Sequence, residues 1–293
     1  MKKYLLVLIS FFFLVNNAQA KLNIFACESE WAKLVEEIAK DRAKIRLAVH
    51  PKQDAHHLHA KPSLIAKARN ADLLVCNGAD LEIGWLPIIV QNARNDKIRP
   101  GNHGYFLAAD YVKPIEIPHE LDRKHGDIHV WGNPHLHLDP RNLFPIAKAL
   151  TERLKTIDPG YASFYEENYK KFTQRLTTNI AKWQKQSTKL KGQKIVVIHK
   201  RYSYLVNWLK LNRVATLEKL PGVSPSLKYL KEVEEALGQH SNTLALVAPF
   251  DNTSYVNWLN DNSNAKIIDL PYSPEDNQDL IAFYTEIIDK LSQ

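Results

Sequence analysis

The chain carries a histidine-bearing stretch just before a long helical run: residues 132–140 read Gly-Asn-Pro-His-Leu-His-Leu-Asp-Pro. Prolines fix the backbone φ angle and lack an N–H donor, so this pattern predicts a stiff, extended lead-in to a helix. In an extended chain, residues two apart point the same way, so His135 and His137 are predicted to face one cleft. Paired imidazoles of this kind are typical metal ligands.

Further histidines lie on both sides of this stretch. His56, His57 and His59 follow a predicted strand, and His199 ends another predicted strand at 194–198. In open parallel sheets, ligands bind outside the carboxyl ends of the strands. We therefore predict that one imidazole from each of these three places binds a single metal ion.

The donor set favours zinc among the divalent metals. Zinc accepts tetrahedral nitrogen sites with one further ligand or a water, whereas manganese prefers oxygen-rich sites. Apart from its histidines, the region 51–69 offers only Asp54 as a carboxylate. Because histidine must be deprotonated to bind metal, the predicted site should empty as the pH falls.

Sequence motifs of enzymes are mostly missing from the chain. It has no HExxH, GxSxG, GxGxxG or CxxC motif and no phosphate-binding loop. The Asp122–His129 stretch mixes acidic residues and histidines and is predicted to be a solvated loop, with transient metal capture as the alternative. A zinc hydrolase would need a general base, for which Glu28 and Asp54 are the candidates.

Strands and helices alternate along the chain, which favours parallel sheets with helices on both faces. The longest predicted helix spans about 159–190, with apolar residues at steps of three and four, and a helix of that length suggests a connector between two lobes. We predict an α/β fold of two lobes, each a parallel-type sheet flanked by helices, joined by this rigid helix. The predicted boundaries are 1–20 for a signal peptide, 21–157 for the N-terminal lobe, 158–191 for the connecting helix and 192–293 for the C-terminal lobe.

The start of the chain predicts export. Lys2 and Lys3 precede an apolar run, and Asn-Ala-Gln-Ala at 17–20 forms a cleavage site near Ala20, so the mature protein is expected in a bacterial periplasm. A formal net charge of +7 on 293 residues, with no arginine–aromatic stripe, argues against nucleic acid binding. The two cysteines, Cys27 and Cys76, could form a disulfide if their strands are neighbours, or remain two buried thiols.

Several motifs together resemble the cluster A-I, TroA/ZnuA-like solute-binding proteins of metal ABC importers. The motifs lie at 54–56 (Asp-Ala-His), 133–140 (Asn-Pro-His-Leu-His-Leu-Asp-Pro) and 197–199 (Val-Ile-His), with supporting similarity at 25–28, 71–79, 82–87 and 220–225. The resemblance covers nearly the whole mature chain. It implies His56, His135 and His199 as metal ligands between two lobes, and limited lobe closure around a rigid helix.

The chain departs from the family pattern at the fourth ligand. Many members supply an aspartate after the last strand, where this sequence has Ser273, while Asp269 is expected to face elsewhere. The missing carboxylate favours zinc over manganese, with His59, a water or an acid of the C-terminal lobe completing the metal's ligand set.

We therefore predict a periplasmic solute-binding protein, not an enzyme, that carries Zn²⁺ as its transported ligand. Its expected partners are a membrane ABC permease and its ATPase; loading by a metallochaperone is left open, and the chain is expected to be a monomer. The alternatives are a manganese or iron carrier of the same fold and an exported zinc hydrolase.

Overall fold

The computed structural model describes residues 20–118, 129–220 and 222–293. The predicted signal peptide therefore lies outside the described residues except for Ala20, and so does the Asp122–His129 loop except for His129. Within the described residues, no helix is both long enough and apolar enough to cross a membrane.

The first lobe is built on a four-stranded parallel sheet in the order β2-β1-β3-β4. All four residues of β3, Leu-Leu-Val-Cys, are buried, as expected for a central strand covered on both faces. The elements are β1 (Leu22–Ala26), α1 (Ser29–Ala39), β2 (Ala43–Leu47), α2 (Pro62–Arg69), β3 (Leu73–Cys76), α3 (Leu86–Ala93) and β4 (Tyr105–Leu107).

The second lobe repeats this arrangement with a parallel sheet in the order β6-β5-β7-β8. In both sheets the second strand along the chain lies at the edge, although the two halves show no convincing sequence repeat. The elements are β5 (Lys194–Val197), α6 (Ser203–Leu209), β6 (Asn212–Thr216), α7 (Leu227–Gly238), β7 (Leu244–Val247), α8 (Thr253–Asn262), β8 (Lys266–Asp269) and α9 (Leu280–Ser292).

Two helices follow β4 before the second sheet begins: α4 (Leu143–Ile157), which packs on the first lobe, and the long α5 (Ala162–Gln186), which connects the lobes. Short 3₁₀ turns, Pro159–Tyr161 and Ser187–Leu190, extend α5 at both ends, so the helical segment covers the predicted 159–190. The apolar face of α5 belongs to a core that also contains residues of both sheets, such as Ile24 and Ile195. The predicted fold of two α/β lobes joined by a long helix is confirmed.

Two helices begin at defined residues. Positive φ angles at residues 78–80 mark a turn ahead of α3, which begins at Leu86. Helix α7 begins at Leu227, after Ser226, whose side chain accepts the Tyr229 N–H. One local prediction was wrong. The stretch 132–140 contains two 3₁₀ turns, Leu136–Leu138 and Pro140–Asn142, and is not extended.

The two cysteines lie on neighbouring strands of the first sheet. Cys27 follows β1 and Cys76 ends β3, and the structure joins them in a disulfide across 49 residues of sequence. Of the two alternatives left open by the sequence, the structure therefore has the disulfide.

Candidate metal centre

Three histidine rings from distant segments meet between the lobes. The ring centroids of His56 and His135 are 5.4 Å apart, those of His135 and His199 are 5.6 Å apart, and those of His56 and His199 are 6.0 Å apart. Each residue lies in or beside a short 3₁₀ turn, which lets the chain reverse without a long loop. The rings predicted to surround one ion do converge, while their role as ligands stays a prediction.

A fourth ring, that of His129, joins this cluster. Its Nε2 atom lies 3.0 Å from Nε2 of His56, and the two ring centroids are 5.0 Å apart. Two nitrogens bound tetrahedrally to one zinc at about 2.0–2.1 Å would be roughly 3.3 Å apart, so this spacing is close to that of a shared ion. His129 was placed in a solvated loop by sequence reasoning, and this assignment was wrong for the residue that ends the stretch.

The backbone explains how His129 reaches the cluster. Gly132 has a φ angle of +99°, and a Cβ atom there would lie only 2.7 Å from the Ile115 carbonyl oxygen. The next residue, Asn133, donates its backbone N–H to that same carbonyl at 2.8 Å. The glycine thus permits a close approach that turns the chain, and His129 lies three residues before it.

His59, the candidate predicted as a fourth ligand, is not brought to the cluster. The chain leaves the 3₁₀ turn at Leu58 in an extended conformation, and both His57 and His59 have exposed side chains. Among the described residues, no ring contact or hydrogen bond joins His59 to the other histidines. The spacing of three residues from His56 was misleading because the short turn does not continue.

His137 is also separate from the cluster. Its buried side chain contacts Glu30 at 3.2 Å through Nδ1 and the Tyr272 carbonyl oxygen at 2.9 Å through Nε2. The expectation that His135 and His137 face one cleft was wrong, because the 3₁₀ turn Leu136–Leu138 removes the two-residue alternation of an extended chain.

Three of the four rings are held through their Nδ1 atoms, which leaves Nε2 available. Where Nδ1 carries the hydrogen and donates it to an oxygen, the lone pair lies on Nε2, and such contacts fix both tautomer and ring orientation at metal sites. The Nε2 atom of His135 is buried and has no hydrogen-bond partner among the described residues. The Nδ1 contacts are His56 to Asp54 Oδ1 at 2.6 Å, His135 to the Tyr272 hydroxyl at 2.6 Å, and His199 to Glu218 Oε2 at 2.9 Å.

Nearly the whole described chain is similar to one protein family. Residues 24–293 match the profile of the family described as "ZnuA: Zinc-uptake complex component A periplasmic". This chain belongs to that family. The resemblance suggested by the sequence motifs is thereby confirmed, and since the family and its relatives are transport proteins, the prediction that the chain is not an enzyme is confirmed as well.

Curated relatives are similar over part of the chain. The manganese ABC transporter substrate-binding lipoprotein PsaA of Streptococcus pneumoniae serotype 4 is 29% identical over 181 residues, which cover 61% of this chain and 55% of the relative. The metal ABC transporter substrate-binding lipoprotein ScbA of Streptococcus cristatus is 26% identical over 62% of this chain and 57% of the relative. The chain therefore spans about half the length of these relatives.

Solved structures share the fold at low sequence identity. A crystal structure of ZnuA superposes with a TM-score of 0.76 at 19% identity, over 93% of this chain and 97% of that chain. The periplasmic zinc-binding protein TroA from Treponema pallidum has a TM-score of 0.76 at 17% identity, over 93% and 98% of the two chains. The manganese-bound periplasmic metal-binding protein from Candidatus Liberibacter asiaticus has a TM-score of 0.73 at 18% identity, over 93% and 98%.

In this ZnuA-family chain, burial lowers the pKa of three of the four clustered histidines. It lowers the pKa of His129 to about 3, with the neighbouring His56 and His199 acting in the same direction. Burial also lowers the pKa of His135 well below its usual value and lowers that of His199. Desolvation disfavours the charged form, so these rings offer lone pairs at neutral pH.

Carboxylates around the rings balance the charge of an incoming cation. Burial alone would raise the pKa of Asp54, but the hydrogen bond to His56 and the charges of His56 and Arg201 hold it below its usual value. The Arg201 guanidinium lies 3.7 Å from Asp54 and 3.1 Å from Asp251, so it connects carboxylates of the two lobes. With Glu218 on His199, three carboxylates oppose one guanidinium, which favours a divalent cation.

The C-terminal lobe does not supply the acid that many family members have there. Ser273 is buried, and Asp269 is exposed at the end of β8, as the sequence predicted. The neighbouring Tyr272 reaches the cluster instead, through its hydroxyl group on His135. Asp251 and Glu218 follow β7 and β6, so the rule that located His199 at a strand's carboxyl end could have found them as well.

Proposed function

We propose that this chain captures Zn²⁺ between its lobes and delivers it to an ABC importer of the inner membrane. The ligands would be Nε2 atoms of His56, His135 and His199, which were predicted, and of His129, which was not. The observation that carries the proposal is the convergence of four rings, three of them held through Nδ1.

A set of four imidazoles supports zinc over manganese. Zinc accepts an all-nitrogen tetrahedral site, whereas manganese prefers carboxylate and carbonyl oxygens. The nearest carboxylates, Asp54 and Glu218, are engaged with Nδ1 atoms on the far side of the rings. They would therefore orient ligands instead of binding the ion themselves.

A manganese carrier of the same fold is the second candidate. It is supported by the relatives whose names describe manganese transport, among them PsaA. In that case Asp54 or Glu218 would have to turn toward the ion and leave its histidine. The two candidates differ in one measurable quantity, the ratio of the affinities for Zn²⁺ and Mn²⁺.

The rest of the assignment follows from this role. Residues 1–20 would direct export to the periplasm with cleavage near Ala20, and 21–157 and 192–293 would form the two lobes joined by 158–191. The partners would be a permease and its ATPase, with loading by a metallochaperone left open. The protein would act as a monomer without binding nucleic acid.

The test is metal titration of the metal-free mature protein against a chromophoric chelator. One tightly bound Zn²⁺ per chain is expected, with a much weaker affinity for Mn²⁺. Alanine variants of the four clustered histidines should each weaken Zn²⁺ binding, and His59→Ala serves as the matched control because His59 is exposed outside the cluster. Equal loss in His59→Ala, or tighter binding of Mn²⁺ than Zn²⁺, would overturn the assignment.

A further inference from the structure

A second group of potential metal ligands lies at the carboxyl ends of β1 and β3, around the disulfide. The Sγ atoms of Cys27 and Cys76 and a carboxylate oxygen of Glu82 all lie within 4.8 Å of one another, and all three residues are buried. Such a set of sulfur and oxygen donors is unavailable to a metal while the sulfurs are bonded to each other. It becomes available when both are thiols, the form in which cysteines leave the ribosome.

A second buried carboxyl group, that of Glu28, lies beside Glu82. Glu28, directly after Cys27, is only 2% exposed, and neither of its carboxylate oxygens has a hydrogen-bond partner in the described part of the chain. Burial raises the pKa of Glu28 well above its usual value, and the nearby carboxyl group of Glu82 acts in the same direction. Two buried carboxyl groups without a cation beside them are costly to ionise, and a metal ion would remove that cost.

Backbone contacts position the Glu82 carboxylate and the two cysteines close together. Glu82 accepts the Asn77 N–H at 2.6 Å and the Gly78 N–H at 3.0 Å, which fixes its carboxylate beside the end of β3. The Cα atoms of Cys27 and Cys76 are 4.8 Å apart on neighbouring parallel strands, so two thiolates there would lie side by side. Glu82 also lines a cavity of about 480 Å³, which gives an ion a route to the site.

We propose that the dithiol form of this chain binds a thiophilic divalent cation such as Zn²⁺ through Cys27, Cys76 and Glu82, beside the buried carboxyl group of Glu28. Each thiol releases its proton to solvent as its sulfur binds the metal, and the ion is then a second one, separate from that held by the histidines. Exchange with a small-molecule disulfide then forms the protein disulfide: the two sulfurs of the chain join, their two electrons pass to the small molecule, which takes up two protons and leaves as two thiols, and the ion is released. The bound ion therefore protects the thiols from oxidation.

The test uses the double variant His56→Ala/His199→Ala, so that the histidine site contributes no binding whether or not the proposed function holds. A phosphine converts the disulfide to two thiols; it becomes the phosphine oxide, taking its oxygen from water, whose two hydrogens go to the sulfurs. Under anaerobic conditions, Co²⁺ should then produce a thiolate-to-cobalt absorption band at one ion per chain. The oxidised protein should show no such band.

Two further variants separate this site from nonspecific thiol binding. Glu82→Gln keeps both thiols and should weaken Co²⁺ binding by about tenfold or more, because loss of a charged ligand should cost at least as much as loss of a group that only orients one. Lys97→Gln, at a side chain that is 66% exposed, is the matched surface control and should leave binding unchanged. An unchanged affinity in Glu82→Gln would show that the cysteines bind without the carboxylate and would overturn the proposed site.

A second measurement covers the case in which the reduced protein does not stay folded. Zn²⁺ added to the reduced chain should then restore the near-ultraviolet circular dichroism of the oxidised form and slow disulfide formation by a chemical oxidant. If Zn²⁺ neither restores folding nor slows oxidation, the proposal is refuted.

Discussion

The contact between Asp54 and His56 allows a direct test of the proposed zinc site. Oδ1 of Asp54 lies 2.6 Å from Nδ1 of His56 and also accepts the His56 backbone N–H at 3.0 Å. In Asp54→Asn, the amide oxygen can still accept the backbone N–H, so the 3₁₀ turn should survive. The negative charge that makes the imidazole a better ligand is lost, and the Arg201 guanidinium at 3.7 Å loses one partner.

Losing a charged group that orients a ligand typically weakens metal affinity about 10- to 100-fold, equivalent to about 1.4–2.8 kcal/mol. We expect a loss in this range for Asp54→Asn at pH 7, measured by zinc competition with a chelator of known affinity. Asp96→Asn is the control, because the Asp96 side chain is 80% exposed and pairs with a surface arginine. A change of less than about twofold in Asp54→Asn would refute the view that Nδ1 contacts set the affinity.

Three further outcomes are expected. First, because the pKa of His129 falls from 6.5 to about 3 in the folded state, the unfolded chain binds more protons between these pH values. The metal-free protein should thus lose stability in urea as the pH falls from about 6.5 toward about 3, and His129→Ala should lose less. Second, reducing the disulfide of Cys27 and Cys76, which spans 49 residues of sequence, should lower the free energy of unfolding by about 4 kcal/mol in metal-free buffer. Third, Phe172→Ala in α5 should cost about 3–5 kcal/mol in thermal or urea unfolding, because this ring is 1% exposed in the shared core, whereas the exposed Lys171→Ala should cost almost nothing.

The long helix of this fold could be predicted from the sequence because its hydrophobic periodicity is a local pattern. The apolar face of α5 repeats at the period of a helix, and the predicted span of about 159–190 matches the observed helical segment. The positions of His56 and His199 after predicted strands likewise indicated that they lie together, because the carboxyl ends of parallel strands meet at one edge of a sheet.

The positions of His129 and His59 were not predicted correctly, because they depend on nonlocal contacts. His129 follows a stretch without periodicity, and its position depends on Gly132 packing against Ile115, a contact that no spacing rule reports. His59 shows the converse, since its spacing from His56 looked suitable but the turn ended at Leu58. Residue type indicated the chemistry, and tertiary packing decides which of the histidine rings lie together.

The arrangement of the rings also bears on how the ion would leave. His56, His129 and His135 precede α5 in the chain and His199 follows it, while Tyr272 of the second lobe contacts His135 of the first. A zinc–nitrogen bond tolerates only about 0.2 Å of displacement. A shift on the order of 1 Å between the lobes would therefore break the bond between the ion and at least one of the proposed ligands.

A wide hinge motion is not needed for such a shift and is opposed by the core. Trp183 of α5 and Tyr284 of α9 are fully buried with ring centroids 5.5 Å apart, in the same cluster as residues of both sheets. Opening the lobes widely would expose apolar surface at about 25 cal/mol per Å², whereas a small shear leaves it covered. A shear that carries His199 and its partner Glu218 away together would therefore leave three of the four proposed ligands and a weakened site, from which the ion would pass to the proposed permease.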